Sequence, residues 1–249
     1  GTPPPGPPPR PEAAALSFSA LHPSSLTVGF LDDLKRQAQA RQSQESLDTA
    51  TLARHAALVD AACKTALQYW MELAPQLNVI KPTPPVRFSL DNRTALDGLM
   101  RCDCRMEARR RQHSQQEVFA HVRLPCVQKS GRPLSLAKDF PPEIERLESR
   151  LRQAGITADV EVIRKPENGT LQQARYRFTA DVVLMAKLLP DHDAGRVKFQ
   201  LMNFDALENV SAEFPAHAVG TTLLDELARW LMGEPNQFLS HAENLRRVE

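Results

Sequence analysis

The hydrophobic pattern of this chain changes its period partway along, and that change constrains the fold more than any single residue does. Over Leu47–Leu77 apolar side chains recur every three or four residues, the spacing of one helix face. Over Met100–Arg111, Ala174–Lys187 and Arg196–Val210 they alternate with polar ones instead. A helix hides a stripe and a half-buried strand hides every second side chain, so the two periods together imply helices laid against a sheet. The expected class is α+β: a mainly antiparallel sheet of about six strands with long helices packed on one face.

Punctuation divides the chain further. Gly1–Pro11 holds seven prolines and two glycines. It has few backbone donors and nothing to bury, so residues 1–25 are expected to form an extended tail and residues 26–249 a single α+β domain, helical over 26–80 and strand-rich over 86–249. The tail fits a PxxP frame, but any proline-dense linker does. Phe30, Leu31 and Leu34 open a short helix that decays into an exposed polar run. A second helix is expected from a cap at Asp48 or Thr49, with Leu52, Val59, Cys63, Ala66, Trp70, Leu73 and Leu77 on its buried face and a stop near Ala74, where Pro75 removes a donor.

In the first long strand, Met100, Cys102, Cys104, Met106 and Ala108 fall on the apolar face and Arg101, Asp103, Arg105, Glu107, Arg109 and Arg111 on the polar one. Val118, Ala120, Val122, Leu124 and Cys126 continue the apolar face on a hairpin partner, which leaves Phe119 as the one aromatic among the polar positions. Pro141 starts a helix with Ile144, Leu147 and Leu151 inward and Gly155 at its end. Ala158, Val160 and Val162 mark a strand, followed by a turn at Asn168–Gly169. Tyr176–Leu184 and Val197–Leu201 form a second hairpin, with a bulge expected near Asn203. Thr222 with Asp225 resembles a capping box for a last helix that Gly233 closes.

Composition excludes more than it selects. Lys plus Arg number 31 and Asp plus Glu 30, so the whole chain carries no field that argues for nucleic acid or an anionic membrane as partner. No apolar run spans a bilayer, and the start at Gly1, without a signal-peptide pattern, suggests a removed tag or upstream segment. The four cysteines are too few for a disulfide scaffold. All four are expected to be reduced, mostly buried thiols, which favours the cytoplasm.

Each candidate site has a plainer reading beside it. Arg105, Arg109, Arg111, His121 and Arg123 could form a face for an acidic partner; a solvated, self-paired sheet face is the simpler account, with Arg109–Arg111 as the one local patch. Cys102, Cys104, Cys126, His113 and His121 lack the knuckle spacing of structural zinc, so no metal is expected. Asp191, His192 and Asp193 could bind an ion or move a proton, yet polar residues collect in hairpin tips. Gly220, Thr221 and Thr222 could hold an anion at a helix start, as most helix starts could. Tyr69 and Trp70 could line a pocket, although aromatic residues at helical spacing usually form core. There is no GxSxG elbow, Walker loop or GxGxxG. The reading is a non-catalytic binding or protein-interaction module without a cofactor, its partner a protein, with neither nucleic acid nor membrane involved. The alternative is a small apolar ligand, or an enzyme's substrate, held between sheet and helices.

Overall fold

A 51-residue helix, α1 (Phe30–Ile80), runs through the position where the sequence pattern suggests a break and through Pro75 as well. Pro75 is tolerated because it sits on the exposed side of the helix. The carbonyl freed one turn back belongs to Met71, itself half exposed, where water can replace the lost bond. In this computed structural model the described residues are 1, 29–113, 115–164, 167, 169 and 171–248, so the expected proline-rich tail and Asn168 of the expected turn lie outside them. The chain divides into two compact units, Gly1–Ser46 and Leu47–Glu249. In the first, the described helix residues are all exposed, Phe30, Leu31 and Leu34 included. The second holds the strands and the remaining helices.

Short strands β1 (Phe88–Ser89) and β2 (Ala95–Leu96) pair with each other. Then come β3 (Met100–Cys102), β4 (Glu107–His113), β5 (Gln116–Lys129) and β6 (Pro133–Lys138), helix α2 (Pro141–Ala154), β7 (Asp159–Arg164), β8 (Leu171–Thr179), β9 (Val182–Asp191), β10 (Arg196–Met202) and β11 (Asn209–Pro215). Helix α3 (Thr221–Met232) and β12 (Asn244–Val248) complete the chain. The principal sheet has seven strands in the order β12-β11-β10-β9-β5-β3, with β4 pairing β5 beside β3; a second sheet has the order β6-β8-β7. Every described pairing is antiparallel. The α+β class with a long helix on a mainly antiparallel sheet is therefore what the chain folds into.

The main core lies between one face of the seven-stranded sheet and α1 with α3. Val59, Cys63, Ala66, Trp70 and Leu77 of α1 meet Val122, Leu124, Leu184, Ala186, Leu188 and Phe199, while Leu52, expected on that stripe, is exposed. Trp70 is fully buried and meets Phe199 edge-on at 6.3 Å; Phe199 in turn stands edge-on to Phe214 and Phe238. A second core joins α2, through Leu147, Leu151 and Ala154, to Ala174, Tyr176 and Phe178 of β8 and to Phe88, Leu90 and Leu96. Gly155 closes α2 at φ 71°, and a Cβ there would stand 2.5 Å from Val183 Cγ2, so the helix end can lie against β9 only as glycine.

Several expectations are corrected. The strand expected over Met100–Arg111 is two strands, because Asp103 takes a left-handed φ of 51° and breaks the alternation. Arg101, expected in solvent, is 1% exposed, while Met100 and Ala108 lie outward. On β5 a bulge at Ala120, seen where Arg109 faces His121 but Arg110 faces Phe119, turns Phe119 into the core and leaves Val118 half-buried. Near Asn203, φ 58°, the chain turns into β11 instead of bulging. The Thr222–Asp225 capping box does not form: Gly220 caps α3, and the Asp225 carboxylate instead accepts the Tyr69 hydroxyl at 2.5 Å. Val160 and Val162 are half exposed because β7 is an edge strand.

Candidate interaction face

One side of the seven-stranded sheet is covered by α1 and α3; the chemistry lies on the other. Pleating sends Glu107, Arg109 and Arg111 of β4, His121 and Arg123 of β5, Lys187 and Leu189 of β9, and Lys198 and Gln200 of β10 away from the main core. The register aligns them in rows. Glu107 faces Arg123, Arg123 faces Lys187, Lys187 faces Gln200, and Arg109 faces His121. Arg105, Arg109 and Arg111 are exposed, and His121, Arg123 and Lys187 are half-buried.

Charges on this face are only partly balanced. Arg105 Nε donates to Glu107 Oε1 at 2.8 Å and Arg123 Nε to Glu107 Oε2 at 2.6 Å, so one carboxylate serves two guanidiniums. The Arg123 hydrogen bond, with Arg105 behind it, holds the Glu107 carboxyl below the usual carboxylate range. Lys198 pairs Glu213 at 2.8 Å, and Arg196 pairs Glu243. Arg109, Arg111 and Lys187 have no carboxylate partner among the described residues. The charges of Arg109 and Lys187 are read out by His121, whose pKa is lowered by burial first and then by Lys187, Arg123 and Arg109, against a smaller pull from Glu107. His121 is therefore neutral near pH 7, and the patch around it is cationic.

Of the five residues singled out from sequence, the fold brings Arg109, His121 and Arg123 together around Lys187. It sets Arg105 in the loop before β4 and Arg111 farther along that strand. Lys187 was not legible, because β5 and β9 are distant in sequence and their pairing cannot be read from either strand alone. Paired from Val122–Leu188 to Gln128–Val182, the two strands diverge beyond the bulge. Arg111 of β4 lines a cleft of about 320 Å³ together with Asp191, His192, Asp193, Arg196, Lys198 and Glu213. Asp191 accepts the Ala194 amide at 3.0 Å, and the Asp193 carbonyl lies 2.9 Å from His55 Nδ1, so this tripeptide holds the β9–β10 turn and fixes it to α1.

The cysteines require another correction. Cys104 and Cys126 form a disulfide, and Cys63 and Cys102 are buried thiols. Cys102 and Cys104 do not share a regular strand; the turn at Asp103 carries Cys104 across to β5, with its Cα 4.1 Å from that of Cys126. Burial pushes the Cys63 thiol up to about 12, with the nearby Asp60 adding to it, so it is unreactive. Trp70 packs in the core instead of lining a pocket, and Tyr69 ties α1 to α3 through Asp225. Thr221 and Thr222 open α3 without a side-chain cap.

No protein family, curated protein or solved structure matches the chain. Among the described residues no helix is long and apolar enough to cross a membrane.

Proposed function

We propose that this chain is a non-catalytic protein-interaction module that docks an acidic polypeptide on the open face of its seven-stranded sheet. One observation carries the reading: Arg109, Arg111 and Lys187 stand on that face without carboxylate partners among the described residues, and Arg105 and Arg123 share a single glutamate. On a protein of nearly zero net charge these cations are a local excess, and carboxylates of a partner would complete the pairing. Protein is favoured over single-stranded nucleic acid because among the described residues the face offers no Phe, Tyr or Trp for bases to stack on; Phe119, the one such ring in this hairpin, is buried beneath Arg110, 4.5 Å from its guanidinium carbon. The Cys104–Cys126 disulfide supports an oxidising compartment over the cytoplasm expected from four thiols, because such a bond persists where conditions are oxidising.

Titration with poly-L-glutamate, followed by fluorescence anisotropy, tests the reading. Binding should weaken steeply between about 0.1 M and 1 M salt, over which the screening length falls from about 10 Å to about 3 Å. Joint substitution Arg109→Glu and Lys187→Glu should abolish it while leaving the melting temperature unchanged. Unaltered affinity in that variant, or tighter binding of a single-stranded oligonucleotide than of poly-L-glutamate, would overturn the proposal.

A further inference from the structure

The cationic face ends at a free strand edge. β4 pairs β5 on one side only, and the residues from Ala108 to Gln112 are all exposed. No backbone hydrogen bond among the described residues joins this stretch to anything but β5. Every second residue of such an edge turns an N–H and a C=O outward, ready to pair with another extended chain. The bulge lies on β5, so β4 itself keeps its alternation, with Arg109 and Arg111 on the open face and Ala108 and Arg110 on the other.

We propose that the acidic partner binds here as an added antiparallel strand, its main chain on the free edge of β4 and its alternate carboxylates beside Arg109 and Arg111. This rests on the interaction reading above and deepens it: the partner segment is extended, and acidic at every second position. Directly opposed side chains across antiparallel strands lie about 4.5–5.5 Å apart at Cβ, within reach of a guanidinium–carboxylate pair. The same arginines disfavour a second copy of the strand, since β4 against β4 centred on Arg110 would oppose Arg109 to Arg111 and Arg110 to itself. Ala108 leaves room on the far face for the partner's intervening side chains, and Arg110 is already occupied by Glu117 at 3.7 Å and the Phe119 ring. Edge geometry supplies main-chain bonds, and arginine spacing selects which chain receives them.

The probe is the hexapeptide acetyl-Glu-Val-Glu-Val-Glu-Val-amide, titrated into the full chain beside two versions N-methylated at alternate positions in the two possible registers. Strand addition predicts that one N-methylated version binds like the parent and the other about tenfold or more weakly, the loss expected from two or more main-chain hydrogen bonds. Amide hydrogen exchange should slow at alternate residues between Ala108 and Gln112 when the parent peptide is bound, and nowhere on β12. Equal binding by all three peptides with unchanged exchange in β4 would overturn the strand model while leaving acidic docking on the face intact. Failure of both the parent peptide and poly-L-glutamate to bind would remove the interaction reading as well.

Discussion

Replacing Arg101 by methionine should destabilise the fold by about 2 to 4 kcal/mol although methionine keeps most of its apolar bulk. The guanidinium is 1% exposed and braces three elements at once. Nη1 donates to the Trp230 and Leu231 carbonyls at 2.8 and 2.7 Å, at the C-terminal end of α3, where the Gly233 cap reaches Trp230 but the last carbonyls run short of helical donors. Nη2 donates to the Phe204 carbonyl at 2.7 Å, and Nε to Gln128 Oε1 at 3.0 Å. Burial lowers the Arg101 pKa to about 10, with Asp205 pulling the other way, so the cation is retained at neutral pH. Methionine would fill the volume but leave the Leu231 and Phe204 carbonyls and Gln128 Oε1 without this donor, at about 1 to 3 kcal/mol each, while returning several kcal/mol no longer spent desolvating a charge. Lysine should fall between, because one ammonium cannot fork to both α3 and Phe204. Urea unfolding decides the matter: the midpoint should drop with the slope unchanged. A loss below about 0.5 kcal/mol in Arg101→Met, or a gain, would refute the brace.

Three further outcomes follow from the geometry. Trp70→Ala should cost about 3 to 5 kcal/mol in the same assay, from lost burial and the cavity left beside Phe199, and a change below about 1 kcal/mol would contradict its core placement. Thiol titration of protein denatured without reductant should find only Cys63 and Cys102 reactive, with Cys104 and Cys126 appearing after dithiothreitol; four reactive thiols from the start would remove the disulfide. His121 has a folded-state pKa below its unfolded value near 6.5, so its contribution to stability is complete above about pH 6.5 and declines as pH falls through that value toward the folded pKa. An acidic ligand facing Arg109, Arg123 and Lys187 favours protonated His121, so poly-L-glutamate should bind more tightly at about pH 5.5 than at about pH 7.5, a gain that His121→Gln should lose.

The α+β class was legible because period is a local property: Val182, Leu184, Ala186 and Leu188 alternate inward as their spacing implies, and Trp70 anchors the stripe it belongs to. Caps marked by glycine at Gly155 and Gly233 were legible for the same reason, since each takes a left-handed φ. What escaped depends on partners distant in sequence. Arg101 looks like a surface residue until α3 delivers carbonyls to it, and Phe119 looks polar-facing until a bulge reverses the phase of β5. Short strands such as β6 and β12 carry too few alternations to register. The same holds for the candidate face: Arg109, His121 and Arg123 were readable from one hairpin, but Lys187 joins them only through the β5–β9 pairing. Near-zero net charge concealed this local excess because a sum over the chain says nothing about where each charge points.

Amide chemical-shift changes on addition of poly-L-glutamate locate the docking face residue by residue. The shifted amides should cluster on β4, the adjoining half of β5 and β9 around Lys187, with α3 and β12 unmoved. Shifts centred on α3 or β12, or none at saturating ligand, would contradict it.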